Sequence, residues 1–310
     1  MKQKAMNLLS NLPPGTVITG KWHHKTYRIK KKLGSGAVGS VYLCDAAGQE
    51  VALKISDKSA SLTVEVNVLT SLKQVQGSLG PYLLDVDDWV TRNGKVYSFY
   101  VMEYVRGIPF RTFIKQHGSS WIGVFMLQLL DDLTRLHQSG WIFGDLKLDN
   151  LIVMTNPPRL RWVDVGGTTQ KGRAIKEYTE FYDRGYWQLG TRRAEESYDL
   201  FALTMVFLHL FYPNEFERRE QPLQQLYRRI DQVKALAPYR KILKKAISGK
   251  YQTSTEMRRE LFHIVSQNTR TSRSRRSRKK QDNLRHAPFV IETLGITIIA
   301  LGYYLLSLFL

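Results

Sequence analysis

The chain has one cysteine in 310 residues, Cys44, so no intrachain disulfide can form and the composition suits a reducing compartment. Cys44 is expected to be a small buried side chain just after a strand. The seven histidines stand apart, without the spacing of metal ligands. His23 and His24 fall in a basic N-terminal stretch and His137 ends an expected helix, so solvated or capping roles are expected for them. Residues 1–12 are too short and too polar a stretch for a secretory leader. No internal repeat is visible, which sets repeat architectures aside. Acid is also scarce: 27 Asp and Glu stand against 46 Lys and Arg, a formal charge of +19. That imbalance points toward polyanions and anionic membrane surfaces as partners. With 43% hydrophobic residues the chain can still bury a large core.

What the sequence does contain is a set of charged groups at fixed spacing. Gly144-Asp145-Leu146-Lys147-Leu148-Asp149-Asn150 is followed, fourteen residues after Asn150, by Asp164-Val165-Gly166. An Asp can orient a hydroxyl nucleophile, a Lys can neutralise a moving phosphate, and an Asn with a second Asp can hold a divalent metal; phosphoryl transfer needs these groups. Upstream, Gly34-Ser35-Gly36-Ala37-Val38-Gly39-Ser40-Val41 lies between expected strands at 27–33 and 41–44. Glycines let backbone amides approach phosphate oxygens with no β-carbon in the way. Taken alone, the run reads sooner as a plain hairpin turn. A dinucleotide fold is disfavoured because strand, not helix, follows it. Val51-Ala52-Leu53-Lys54 puts Lys54 on a strand with alternating apolar neighbours, at the distance from the glycine run that a phosphate-pairing lysine requires. Residues 61–73 read as a helix with Leu62, Val66, Leu69 and Leu72 on one face and Glu65 as its only carboxylate. A solvated strand lysine and a solvated helix glutamate are the plainer alternatives.

Five motifs in this order, over residues 27 to about 265, resemble a bacterial Hanks-type serine/threonine protein kinase. The family's His-Arg-Asp-Leu-Lys-x-x-Asn stands here as Phe143-Gly144-Asp145-Leu146-Lys147-Leu148-Asp149-Asn150, and its Asp-Phe-Gly as Asp164-Val165-Gly166. The charged groups are kept and their neighbours are not. The run Gly140-Trp141-Ile142-Phe143, the run Gly166-Gly167-Thr168-Thr169, the stretch 174–184 and Gly185-Tyr186-Trp187 resemble a membrane-anchored, sporulation-associated branch of the family. The resemblance implies an α+β, two-lobed protein-kinase-like fold, with a small β-rich N-lobe at about 27–102, a helical C-lobe at about 106–265 and ATP between them. It implies Asp145 and Lys147 as the catalytic residues and Asn150 and Asp164 as ligands of Mg²⁺ or Mn²⁺. Gly34, Ser35, Gly36, Ala37, Gly39 and Val41 would cover ATP, with Ala52, Lys54 and Glu65 beneath. Val101-Met102-Glu103-Tyr104-Val105 would be the hinge, with Met102 at the back of the adenine pocket and Glu103 and Val105 contacting adenine through backbone groups. Asp199 would brace the catalytic loop from a helix.

Several positions depart from the family pattern. Gly144 replaces the Arg that pairs with a phosphate on the activation segment, so loop phosphorylation is not expected to be an obligatory switch. A degenerate site is the plainer reading. Candidate phosphate acceptors are Thr168, Thr169, Thr179 and Thr191. Ala194-Glu195-Glu196 lies too close to Asp199 to fill the family's Ala-Pro-Glu place, and Gln252 stands where an Arg is usual, which puts the family's C-lobe ion pair in doubt.

The C-terminal part changes character. Residues 266–287 carry eight Lys and Arg against Asp282, with Arg270, Arg273, Arg275, Arg276, Arg278, Lys279 and Lys280 in an apolar-free run. This reads as a disordered juxtamembrane tether. Residues 288–310 are dominated by Ile, Leu, Val, Tyr and Phe, with Glu292 the one charge, and read as a transmembrane helix. Basic residues just before the span keep that side in the cytoplasm. The expected protein is anchored in the cell membrane by one C-terminal pass, with residues 1–26 as an extension and 27–265 as a cytoplasmic domain. Expected partners are protein substrates, anionic membrane lipid, double-stranded DNA held without sequence preference, and a second copy for phosphorylation in trans. Lys244 and Lys245 of the C-lobe are expected to join the tether in holding a polyanion. Two rivals stand beside this reading: a membrane-tethered pseudokinase scaffold, and a small-molecule kinase sharing the lobes. The topology predicts that the chain pellets with membranes and resists high-salt extraction, and that truncation before Pro288 frees it. Full-length chain in the soluble fraction contradicts the anchor.

Overall fold

Strands of the N-terminal part build a six-stranded antiparallel sheet, with aromatic and β-branched residues densest over Val17–Thr19 and Val96–Glu103. Its strands are β1 (Val17–Thr19), β2 (Thr26–Ser35), β3 (Ser40–Ala46), β4 (Gln49–Ser56), β5 (Leu83–Val90) and β6 (Val96–Glu103), in the order β1-β2-β3-β4-β6-β5. The computed structural model describes residues 9, 11–36, 38–74 and 80–267. The chain divides into two compact units, Met1–Leu261 and Phe262–Leu310.

One face of the sheet carries Tyr27, Ile29, Tyr42, Cys44, Leu53, Ile55, Phe99 and Val101 into a single apolar cluster. Cys44 lies inside β3 rather than after it, fully buried. Every residue from 51 to 56 is buried, so the alternation expected around Lys54 does not appear. The apolar cluster covers one face of β4 and the cleft-side contacts of α1 (Ser59–Gln74) cover the other. On α1 the buried side chains are Leu62, Glu65, Val68 and Leu69, while Val66 is half-buried. The inward face is turned from the expected one because Glu65 points into the sheet to meet Lys54. The side chain of Leu72 lies outside the described residues.

The stretch read as an N-terminal extension joins this lobe. β1 pairs Val17 with Arg28 and Thr19 with Thr26. Tyr42 donates its hydroxyl to the Leu9 carbonyl at 2.5 Å and accepts from the Leu12 amide at 3.1 Å.

The second lobe is helical. It holds α2 (Phe110–His117), α3 (Ile122–Gln138), α4 (Glu196–His209), α5 (Pro222–Gln232) and α6 (Arg240–Ile247). Two small sheets accompany them: β7 (Ile108–Pro109), β9 (Leu151–Thr155) and β10 (Pro158–Trp162), and a ribbon of β8 (Trp141–Ile142) with β11 (Thr169–Gln170). α3 buries Phe125, Met126, Leu129, Leu130, Leu133 and Leu136 along one stripe. All fourteen residues of α4 are buried, so it is the lobe's central element.

Among the described residues no helix is long and apolar enough to cross a membrane. The expected span, the tether residues from Arg270 to Lys280, and Ala37 all lie outside the described residues.

Tyr42→Phe removes the one side-chain group that pairs with the Leu9 carbonyl and Leu12 amide. It is expected to cost about 2 kcal/mol, read as a lower urea midpoint at unchanged slope. An unchanged midpoint would show that the N-terminal stretch contributes nothing to the lobe.

Candidate active site

Strand register gathers the first half of the site. Val41 pairs with Lys54, Lys54 with Tyr100, and Ala52 with Met102. Residues two apart on a strand face the same way, so Val41, Ala52, Lys54, Tyr100 and Met102 share one face. Gly34 pairs with Val41, which places the glycine run at the end of that row. Lys54 Nζ lies 2.9 and 2.7 Å from the two Glu65 carboxylate oxygens and 3.4 Å from Asp164 Oδ1. Tyr100 donates its hydroxyl to Glu65 Oε2 at 2.7 Å. Sequence reasoning passed over Tyr100, although its place two residues before Met102 puts it on the face of Lys54. Burial works against the Lys54 charge, but Asp164 and Glu65 outweigh it and hold the ammonium pKa above its ordinary value. Burial likewise opposes the Asp164 carboxylate, and Lys54 with the Gly166 amide outweighs that, holding its pKa below the ordinary range. Both groups are therefore charged at neutral pH.

The loop after β8 supplies the second half. Phe143, Leu146 and Leu148 are buried and anchor it. Between these anchors Lys147 Nζ bonds to Asp145 Oδ2, and Thr179 donates to Asp145 Oδ1 at 3.0 Å. Asn150 donates its side-chain amide to the Asp145 carbonyl at 3.3 Å. Gly166 and Gly167 join the two halves. A β-carbon on Gly166 would stand 3.2 Å from Glu65 Oε1, and one on Gly167 only 2.5 Å from Asp145 Cβ. Gly144 has φ of 77°, and a β-carbon there would come within 2.4 Å of the Gly167 carbonyl oxygen. Glycine is thus required at 144 on both conformational and steric grounds.

Asp199, fully buried on α4, holds this loop from behind. Its carboxylate accepts from the Phe143 amide at 2.8 Å and the Gly144 amide at 3.0 Å, and meets His137 Nε2 at 2.8 Å. On the other side of the ring, His137 Nδ1 lies 3.0 Å from Ser254 Oγ and 3.3 Å from Glu196. Glu196 also accepts from the Ser254 amide and pairs with Lys171 at 2.9 Å. The solvated or capping role expected of His137 is wrong: its partners come from two distant segments that the sequence does not show to be close.

Other expected residues fall as follows. Glu103 gives its carboxylate to buried Arg161, at 2.9 and 2.8 Å, and its amide to the Tyr82 carbonyl. Thr168 is buried, which sets it apart from half-buried Thr169 and exposed Thr191 as a phosphate acceptor. Thr179 is engaged with Asp145. Gln252 bonds only locally, to the Gly249 carbonyl and Glu256, so no C-lobe ion pair forms there. Arg184 instead pairs with Glu195 and donates to Ser197 at 2.8 Å. Lys244 pairs with Asp231 at 2.7 Å and Lys245 with both oxygens of Glu260 at 2.9 Å. Each is paired with a carboxylate and stays partly exposed at the surface.

The backbone at the glycine run fits a phosphate ligand. A β-carbon on Gly34 or Gly36 would meet no described atom within 4 Å, so packing does not demand glycine there. Gly39 differs, because its β-carbon would strike the Ile55 carbonyl at 2.3 Å. Among the described residues no three His, Cys, Asp or Glu side chains converge on one point. One carboxylate and one amide, Asp164 and Asn150, leave positions for phosphate oxygens and water, the donor set that suits Mg²⁺ bound with a nucleotide.

The protein kinase domain family matches residues 27–289. The chain is 49% identical over 265 residues to the serine/threonine-protein kinase YabT of Bacillus subtilis, an alignment covering 84% of this chain and 78% of that protein. It is 30% identical over 149 residues to the serine/threonine-protein kinase cek1 of Schizosaccharomyces pombe, 45% of this chain but 11% of that protein. It is 24% identical over 217 residues to the serine/threonine-protein kinase max-2 of Caenorhabditis elegans, 65% of this chain and 32% of that protein.

The His137 network carries a pH dependence. Burial opposes the imidazolium, but Asp199 and Glu196 outweigh it and raise the His137 pKa above 6.5. Burial likewise opposes the Glu196 carboxylate, and His137, Lys171 and the Ser254 amide outweigh that and depress its pKa far below 4.5. A raised imidazole contributes stability that is complete below its unfolded value and lost as pH rises through the folded one; the Glu196 share is present above its unfolded value and lost as pH falls. His137→Gln is expected to lose about 3 kcal/mol near pH 6, with the gap narrowing as pH rises. A gap that stays constant from about pH 6 to 10 contradicts a charged His137.

Proposed function

The chain belongs to the protein kinase family and is an ATP-dependent serine/threonine protein kinase, and we propose the following roles for its residues and setting. Asp145 orients the acceptor hydroxyl and takes its proton as the oxygen bonds to phosphorus. Lys147, bonded to Asp145, brings positive charge to the same point, where charge develops in transfer. Lys54, fixed by Glu65 and Tyr100, faces the nucleotide phosphates. The turn from Gly34 to Val41 lies over them, and Ala52 and Met102 border the adenine, with the backbone of Glu103 and Val105 at its edge. ATP supplies the phosphoryl group, and Mg²⁺ or Mn²⁺ held by Asn150 and Asp164 would neutralise its oxygens.

The single observation that carries this reading is the position of Lys54 Nζ, 2.7 Å from Glu65 and 3.4 Å from Asp164. A kinase needs the Lys–Glu pair and the metal-binding Asp in place together. A scaffold that only held nucleotide would have no use for the Asp145–Lys147–Thr179 arrangement.

The setting is a membrane surface. Residues 288–310 anchor the chain and the basic tether before them contacts anionic lipid. The tether also binds double-stranded DNA through phosphates, without reading sequence, and gathers copies for autophosphorylation in trans. Lys244 and Lys245, partly exposed on the C-lobe, add to that contact. Thr169 and Thr191 are the acceptors favoured on the activation segment.

Lys54→Ala, Asp145→Ala and Asp164→Ala are each expected to lower transfer by about a thousandfold. The urea midpoint should stay near wild type for the two Asp variants and fall for Lys54→Ala, which leaves buried Glu65 without its cation. A wild-type protein that binds ATP and metal but labels nothing, with or without DNA or anionic vesicles, supports the scaffold instead. Autophosphorylation at fixed salt should be faster with double-stranded DNA than without it, and the gain should fall steeply as salt rises. Equal rates with DNA, with anionic vesicles and with neither would remove polyanion activation.

A further inference from the structure

A cavity of about 920 Å³ opens beside α5, away from the residues of the transfer site. Arg218, Arg219, Arg228 and Arg229 line it together with Gln188 and the glutamines of α5; Glu220 is its one carboxylate. Two of the arginines are held by the fold. Arg218 donates to the Tyr186 carbonyl at 2.5 Å and lies over the Tyr186 ring, and Arg229 lies over the rings of Tyr212 and Phe216 at 4.9 and 4.7 Å. Arg219 and Arg228 are exposed, and neither guanidinium has a hydrogen bond or ion pair among the described residues.

Tyr186 and Gln188 belong to the segment that follows Asp164 and places Thr179 on Asp145. That segment is firmly set. The Asp183 carboxylate accepts from the Gly185 and Tyr186 amides at 3.0 and 2.8 Å and from Arg192, and Trp187 is fully buried. Through Gln188 the cavity borders the segment that carries Thr179.

We propose that this cavity binds an acidic stretch of the protein substrate, separated along the substrate chain from the Ser or Thr that is phosphorylated. The proposal rests on the transfer reading above and names its substrate class. Carboxylates of the stretch pair with Arg219 and Arg228, whose planar forks suit bidentate recognition. Gln225 and Gln232 already bond within the chain, and the side-chain amides of Gln188 and Gln224, each with donors and an acceptor, match the N–H and C=O of an extended peptide. A volume of this size holds a short peptide run, as ligand clefts do.

The test uses the full chain in detergent micelles and two peptide series sharing one Ser acceptor. In one series a Gly-Ser spacer of varied length leads to an Asp-Glu run, in the other to an uncharged Ser-Gln run. For at least one spacer length the acidic tail should lower KM about tenfold at similar kcat. The Arg219→Glu, Arg228→Glu double variant should lose that advantage while its kcat and KM for the uncharged series stay at wild-type values. Fluorescence anisotropy of a labelled acidic tail should show the same loss of binding, independently of transfer. Labelling of the uncharged series tests the transfer reading by itself. Equal anisotropy for wild type and variant, or equal KM for both tails at every spacer, overturns the proposal. So does a variant that keeps the peptide preference but no longer binds double-stranded DNA, which would assign the cavity to nucleic acid.

Discussion

The arrangement of the transfer site depends on the buried carboxylate of Asp199. A charge with no exposure to water is unfavourable unless several donors surround it. Here the donors are the Phe143 and Gly144 amides and the His137 ring. The two amides are backbone groups of the very loop that carries Asp145, so satisfying the carboxylate and fixing the loop are one event. The helix bearing Asp199 is buried along its whole length and gives a rigid base. From that base the order passes outward: Gly144 lies against Gly167, Gly167 against Asp145, and Gly166 against Glu65, which holds Lys54. The two lobes therefore meet where glycine backbone lies against the Glu65 and Asp145 side chains, beside the Lys54–Asp164 pair.

This chain of contacts gives a physical meaning to the lost arginine. A side chain at 144 would need the left-handed backbone and would run into the Gly167 carbonyl. The contact that replaces it needs no phosphate. The segment beyond is held in the same way, by Arg192 on Asp183, Arg184 on Glu195, and Thr179 on Asp145. These are interactions the unmodified chain already contains.

Much of this was legible in the sequence and some of it was not. Motif order along the chain pointed to the two-lobed kinase fold because strand pairing is local: β2, β3 and β4 follow one another and pair in that order. Lys54 and Glu65 were placed in one helix–strand unit for the same reason. What escaped depended on partners far apart. His137 looked like an ordinary polar residue at a helix end, because Ser254 and Asp199 lie 117 and 62 residues away. The partners of Lys244 and Lys245, Asp231 and Glu260, lie 13 and 15 residues away. The inward turn of α1, with Val68 rather than Val66 buried, follows from one ion pair overriding an apolar pattern. The β1 strand was missed because three residues carry too little periodicity to stand out.

The most direct measurement is the initial rate of phosphate transfer to an exogenous protein acceptor by full-length chain shown by mass spectrometry to carry no phosphate. If contacts within the chain hold the catalytic loop, transfer begins without a lag, at the rate of the phosphorylated protein. A lag that ends as phosphate accumulates on Thr169 or Thr191 would contradict it, and would show that the loop waits for a modification that Asp199, Gly144 and Gly167 do not replace.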